Sequence, residues 1–223
     1  MHPRYPSGVP TAITSTLVRP LAVAAGVAVA AGAVLLGGAV VVHQGWWYAG
    51  FVSEAGEPGS PQATAYRLGI LGLAVGLFLL AGAVRARGGS PAWIVLSASL
   101  LLALSGAFAV TSSLVSCSVG CPLPPYETPT AGDLVHAGAS IAGILACAAA
   151  MLALAVARID SGLRRVCRAW LVVTVPAGVF ATIALVGLGR GHATGLAEKL
   201  LLAVIVGWVL TAAATLARPR ASV

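Results

Sequence analysis

Charged residues are scarce in this chain. Asp, Glu, Lys and Arg make up only 9% of its 223 residues, whereas soluble domains contain about 25% charged residues. Hydrophobic residues reach 59%, and the mean hydropathy is +0.97. A chain with so little charge cannot cover a water-facing surface. The composition therefore excludes a soluble globular protein and predicts a membrane protein that crosses the bilayer several times.

Six long runs almost free of charge explain this composition. Each is long enough for a bilayer-spanning helix, which needs about 20 apolar residues, and none shows the alternation of a barrel strand. The first run is too long for the roughly 7–15-residue core of a cleaved signal peptide, so we expect a retained helix. The sequence predicts an all-α polytopic membrane protein, with one domain over 21–217 and tails at 1–20 and 218–223. Its predicted transmembrane helices are 21–42, 67–84, 92–113, 132–157, 167–188 and 196–217.

Lysine is almost absent, and the arginines are unevenly distributed. Ten of the 13 Lys and Arg residues lie in the two tails and in the second and fourth connections. Because such residues favour the cytoplasmic side, both termini are predicted to be cytoplasmic in a multi-pass protein of the cell membrane. The net charge of +7 is then a topology signal. Nucleic-acid binding would need a basic face with groove-reading or aromatic elements, so no nucleic-acid partner is expected.

Cysteine is also rare, with four in the chain. Cys117 and Cys121 lie in the third connection, in "SCSVGC", on the side predicted to be extracytoplasmic. An oxidising compartment favours a disulfide between them. The same spacing also fits half of a zinc site, but only one histidine lies nearby, and two free thiols are the other alternative. We expect the disulfide, no metal and no cofactor.

The rest of this connection, "PLPPYETPTAGDLVHAGAS", contains too many prolines for a helix or a sheet and predicts an extended surface lid. Thr130 and Asp133 are spaced to cap the fourth helix. Asp133, His136 and Ser140 share one helix face, which must avoid lipid. In one interpretation they are structural, the histidine tying two helices together. In the other, Asp133 orients His136 as a general base or a ligand.

The last connection and the second helix add further polar residues to this side. Arg190 and His192 precede the sixth helix, Glu198 and Lys199 lie near its start, and Arg67 begins the second helix. Capping explains Glu198 without any further role. If these helix ends converge, they form a charged pocket under the proline lid. The candidates for such a pocket are Arg67, Tyr126, Glu127, Asp133, His136, Ser140, Arg190, His192, Glu198 and Lys199.

The order of these features resembles a known family. The first outer connection runs into "YRLGILGLAVG", a proline-rich connection leads to "DLVHAGAS", and the last helix opens with "GLAEKLL". This arrangement, over about Leu21 to Leu216, resembles the bacterial integral-membrane family named domain of unknown function 998. The resemblance implies a six-helix fold, motif positions at Asp133, His136, Gly195 and Leu196, and no assigned activity.

Two functional hypotheses follow. The first is a non-enzymatic membrane protein that binds a lipid or a small molecule, or supports an envelope protein partner, through a polar extracytoplasmic pocket. The second is a membrane-embedded hydrolase or transferase at the outer face, with catalytic candidates Asp133, His136, His192 and Glu198. The second requires those groups to lie within hydrogen-bond reach of one another or of one water. We favour the first.

Overall fold

The fold is all-helical in the computed structural model, which describes residues 11–44 and 50–219. Six helices are long and apolar enough to cross a membrane, which confirms the predicted all-α fold with six membrane-length helices. A short 3-10 helix, Val52–Gly56, lies between the first two. The six are α1 (Thr11–Gln44), α2 (Ala63–Arg87), α3 (Ala92–Leu114), α4 (Ala131–Val156), α5 (Ser161–Leu188) and α6 (His192–Ala217).

Several helices extend beyond the predicted spans because their first turns are polar. Helix α1 begins at Thr11, inside the predicted tail, and continues through Pro20. Helix α5 begins six residues before the predicted span because the Asp160 carboxylate accepts hydrogen bonds from the N–H groups of Gly162 and Leu163. Hydropathy locates the lipid-facing part of a helix and misses these capped turns.

The helices form a ring in chain order, and α6 closes the ring against α1. Buried side chains of α2, α3, α4 and α6 fill its interior, with Trp208, Leu80, Leu102 and Met151 fully enclosed. Helix α5 is the least buried, and residues such as Val172 and Ile183 are exposed on its outer face. Such faces contact the lipid bilayer.

The contact between α1 and α2 depends on glycine. A Cβ atom on Gly32 would lie 2.7 Å from the Gly69 carbonyl oxygen and 2.8 Å from the Leu73 nitrogen. A Cβ on Gly72 would lie 2.9 Å from the Gly32 Cα. The two backbones therefore touch where only glycine fits, as small residues allow in membrane helix pairs.

Two connections join at the end of the bundle where α1 begins and α6 ends. Ser90 and Arg158 exchange backbone hydrogen bonds of 3.2 and 2.8 Å. Beside them, Arg87 Nη2 donates to Asp160 Oδ2 at 2.6 Å. The α2–α3 and α4–α5 connections are thus held by an ion pair and a two-bond bridge.

This ion pair predicts a pH dependence of stability. Burial acts to raise the pKa of the Asp160 carboxyl, but its hydrogen bonds and the Arg87 charge prevail and lower the pKa below its usual value. A carboxyl with a lowered folded-state pKa stabilises the fold above its unfolded pKa, and this stabilisation is lost as pH falls through the folded pKa. Asp160→Asn should cost about 1–2 kcal/mol of unfolding free energy at pH 7.

Unfolding in mixed micelles, measured from pH 7 down to pH 3, tests this expectation. Asparagine keeps the capping oxygen and removes the charge, so the gap between variant and wild type should shrink below about pH 4. A gap that stays constant over the whole range would show that the charge of Asp160 does not contribute.

Candidate functional site

One end of the bundle, which we call the disulfide end, contains the α1–α2, α3–α4 and α5–α6 connections. Cys117 and Cys121 form a disulfide in the α3–α4 connection, which confirms that prediction. Both cysteines are buried against Phe51, with Leu123 and Leu185 packed beside them. The disulfide ring is therefore part of a small apolar core.

Asp133 connects this ring to the start of α4. Its carboxylate accepts hydrogen bonds from the Ser118 N–H at 2.6 Å and from the Ser118 hydroxyl at 2.8 and 2.9 Å. It also accepts from the N–H and the hydroxyl of Thr130, both at 2.7 Å, while Thr130 Oγ1 accepts from the Asp133 N–H at 3.2 Å. The predicted cap by Thr130 is confirmed, and Asp133, only 1% exposed, braces the loop as well.

His136 has a separate set of partners. Its Nδ1 lies 2.7 Å from the Val115 carbonyl oxygen and 3.5 Å from the Ser112 hydroxyl. Because a carbonyl only accepts, Nδ1 is the donor in this hydrogen bond. Ser112 Oγ in turn lies 2.8 Å from Ser140 Oγ. The partner that fixes His136 is thus a backbone carbonyl and not Asp133, which removes the geometric basis for an Asp-His pair.

Most other predicted pocket residues brace the connections. Arg190 Nε and Nη2 donate to Glu54 Oε1 at 3.1 and 2.9 Å, and Arg67 Nη2 donates to Ser116 Oγ at 2.6 Å. Lys199 Nζ donates to the Gly50 carbonyl at 2.9 Å. The helix ends share one end of the bundle, but these charges point into loop contacts and do not converge on a common pocket.

Hydrogen bonds also hold the proline segment in place. Pro124 and Pro125 are exposed, and Pro122 and Pro129 are half-buried. The chain turns at 124–126 and does not stay extended as predicted. The Tyr126 hydroxyl donates to the Val186 carbonyl at 2.6 Å, and Glu127 Oε2 accepts from the Leu123 N–H at 3.2 Å. The proline segment is therefore a fixed cover at the disulfide end.

His192 is not part of these contacts between connections. It is exposed at the first position of α6.

Glu198 was expected to cap α6, and that expectation is wrong. The helix begins at His192, so Glu198 lies in its second turn, where no helix N–H is free. Its Oε2 instead accepts the Val52 N–H of the 3-10 helix at 2.9 Å. The carboxyl group thereby lies inside the ring of helices.

A cavity of about 120 Å³ lies beneath the braced connections. Its walls come from α1, α2, α3, α4 and α6 and are mainly apolar, including Val29, Leu73, Ile144, Leu202 and Ile205. Its polar lining is concentrated toward the disulfide end, where Tyr66, Ser112, Ser140 and Glu198 border it. We call these four residues the polar cluster. The arrangement is that of a small-molecule pocket, apolar with a few convergent polar groups.

Sequence reasoning found Ser140 and Glu198 but missed Tyr66 and Ser112. One signal was available on α3, where Ser105 and Ser112 lie seven residues apart and therefore share one helix face. Ser105 Oγ donates to the Gly143 carbonyl of α4 at 2.8 Å, so this face points inward. A polar stripe in an apolar helix indicates a face turned away from lipid.

Within residues 11–44 and 50–219, no group of three or more His, Cys, Asp or Glu side chains is placed to hold a metal ion. The site in the described part of the chain therefore consists of hydroxyls, one carboxyl group and apolar walls.

No curated protein and no solved structure matches the chain. The model of one family, described as "Protein of unknown function (DUF998)", matches residues 22–215 and so includes all six membrane-length helices apart from short end segments. The matched region contains the disulfide, the braced connections and every residue of the polar cluster. The chain belongs to this DUF998 family.

Proposed function

We propose that this protein binds a small amphipathic molecule in the cavity inside its helix ring. The observation that supports this most is the division of the cavity lining into apolar walls and one polar cluster at the disulfide end. An amphipathic ligand would place its apolar part among Leu73, Leu202 and Ile205, and its polar end against Tyr66, Ser112 and Glu198. Binding, and not catalysis, suits a site whose neighbouring Asp133 is fully used in bracing a loop.

The volume limits the size of the ligand. An apolar cavity of about 150 Å³ accepts a benzene molecule, so about 120 Å³ suits a single ring or a short alkyl chain. A two-chain lipid would not fit inside. Burial contributes about 0.8 kcal/mol per methylene, and pairing of the ligand's polar end with the polar cluster avoids the cost of burying that end without a hydrogen bond.

A photoreactive hexanol that carries a diazirine is a suitable probe for this proposal. Ala109→Leu places an isopropyl group in the cavity and should reduce labelling of the lining residues at least tenfold. Ala107→Leu makes the same change on the exposed face of the same helix and should label as wild type does. Peptide mass spectrometry locates the labelled residues. Equal labelling of the two variants, or labelling confined to lipid-facing residues, would contradict the proposal.

We further propose that the disulfide end is extracytoplasmic and both termini are cytoplasmic, in a single six-helix domain of the cell membrane. The excess of arginine at the opposite end supports this orientation. In intact cells, a membrane-impermeant maleimide should label Thr128→Cys, which lies in the exposed cover. It should label Ser222→Cys only after lysis. Labelling of Ser222→Cys in intact cells would reverse the assignment.

A further inference from the structure

A second cavity, of about 250 Å³, lies at the opposite end of the bundle. It is bordered by α1, by the C-terminal end of α2 and by the C-terminal end of α6. Each of these three walls contributes one arginine, namely Arg19, Arg87 and Arg218. Apolar side chains, including Val18 and Leu216, complete the lining. The site is separate from the cavity discussed above and does not depend on the proposed function.

Arg87 is held rigidly in this cavity wall. Its side chain is 10% exposed, and Nη2 is fixed to Asp160 at 2.6 Å. Asp160 is itself fixed by the N–H groups of Gly162 and Leu163. Arg87 Nε is buried without a hydrogen-bond partner in the part of the chain that the structure describes. A guanidinium has five N–H donors in a fixed fork, so one carboxylate oxygen leaves much of its donor capacity unused.

The charge of this cavity is positive. Arg19 and Arg218 are exposed, and the ion pairs formed among residues 11–44 and 50–219 use neither of them. Three guanidinium groups border the cavity, and among the described residues the one carboxylate that pairs with any of them is Asp160, which pairs with Arg87. The C-terminal ends of α2 and α6 add a partial negative charge of roughly 0.5 each, which reduces this excess without cancelling it. The remaining positive charge favours the binding of an anion in this cavity.

We propose that this cavity binds a phosphate group, supplied by the headgroup of an anionic lipid or by free phosphate. Planar guanidinium groups match the geometry of phosphate oxygens and form paired, charge-assisted hydrogen bonds with them. Basic pockets between membrane helices are suited to anionic headgroups. Val18 and Leu216 supply an apolar wall next to the arginines, against which part of a lipid acyl chain would lie. The rigid Arg87 is preorganised for binding.

Native mass spectrometry of the full chain in a neutral detergent tests this site. The probes are short-chain phosphatidylglycerol, short-chain phosphatidylcholine and inorganic phosphate. Wild type should retain phosphatidylglycerol about tenfold more strongly than phosphatidylcholine, whose choline offsets the phosphate charge. The double variant Arg19→Gln/Arg218→Gln should lose this preference. The control Arg85→Gln/Arg165→Gln removes the same charge from exposed positions outside the cavity and should keep it.

The two sources of phosphate are distinguished by competition. Displacement of phosphatidylglycerol by millimolar inorganic phosphate would assign the site to phosphate from either source, and resistance to displacement would assign it to the lipid. The variant Arg19→Lys/Arg218→Lys keeps both positive charges but lacks the planar guanidinium donors, so it should show an intermediate preference for phosphatidylglycerol. It also tests the site if the glutamine variant does not fold. Equal losses in the two glutamine variants would mean diffuse attraction to the basic end and would overturn the proposal.

Discussion

Replacing Gly32 with alanine is expected to destabilise the helix ring by about 3 kcal/mol, at the upper end of the usual cost of overpacking. The new Cβ atom would lie 2.7 Å from the Gly69 oxygen and 2.8 Å from the Leu73 nitrogen. Both are backbone atoms of α2, so no side chain can rotate away and the two helices must separate. Their separation would also disturb Leu73 and Val29, which line the cavity.

Gly38→Ala is the matched control on the same helix. Gly38 is exposed, and a Cβ there meets nothing within 4 Å. Alanine has a higher helix propensity than glycine by up to about 1 kcal/mol, so this variant should be as stable as wild type or more so. Unfolding in mixed micelles compares the two. Equal stability of Gly32→Ala and Gly38→Ala would show that the close contact of α1 and α2 is absent from the folded protein.

Asp133→Ala is expected to cost about 2–3 kcal/mol of unfolding free energy, because it removes the acceptor of several donors at once. The N–H groups of Ser118 and Thr130 both lose their acceptor, and a donor left unsatisfied costs about 1–3 kcal/mol where water cannot reach it. The α4 cap and the attachment of the disulfide ring are lost together. The principal effect should therefore be on stability and on the position of the loop.

Two further variants distinguish bracing from other roles of this carboxylate. Asp133→Asn keeps one acceptor oxygen and should recover part of the loss. Glu127→Ala, in the same connection, removes the acceptor of a single 3.2 Å hydrogen bond and should cost about 1 kcal/mol or less. If Asp133→Ala unfolded at the same denaturant concentration as wild type, the bracing role would be refuted.

The sequence was sufficient for the features that local rules determine. Uninterrupted apolar runs predict the six helices because a span needs a minimum length. The spacing of Cys117 and Cys121 predicts the disulfide, and the spacing of Thr130 and Asp133 predicts the cap. In each case the interacting residues are close in the chain.

The polar cluster could not be predicted in this way. Tyr66, Ser112 and Glu198 come from three helices, and the Val52–Glu198 hydrogen bond joins residues 146 positions apart. Ser118 is likewise 15 residues from Asp133, so its hydrogen bond to the carboxylate forms only because the loop folds back onto the start of α4. The i to i+3 spacing alone placed Asp133 beside His136 and could not show that each finds a better partner elsewhere.

The bracing of the connections bears on the proposed ligand binding. The charged residues of the disulfide end hold the connections in place with the Glu54–Arg190 ion pair and with hydrogen bonds such as Glu198–Val52. Those connections lie at the end of the ring where the cavity has its polar lining. A rigid end would keep the polar cluster oriented without a ligand, and this would reduce the entropy lost when the proposed ligand binds.

Native mass spectrometry of the gently extracted protein tests the central proposal most directly. The account predicts that wild type and Ala107→Leu retain a small amphipathic molecule, and that Ala109→Leu, with its disulfide intact, has lost it. Two results would contradict a ligand site inside the helix ring. One is protein without a bound molecule in all three samples, and the other is the same molecule bound to Ala109→Leu as to wild type.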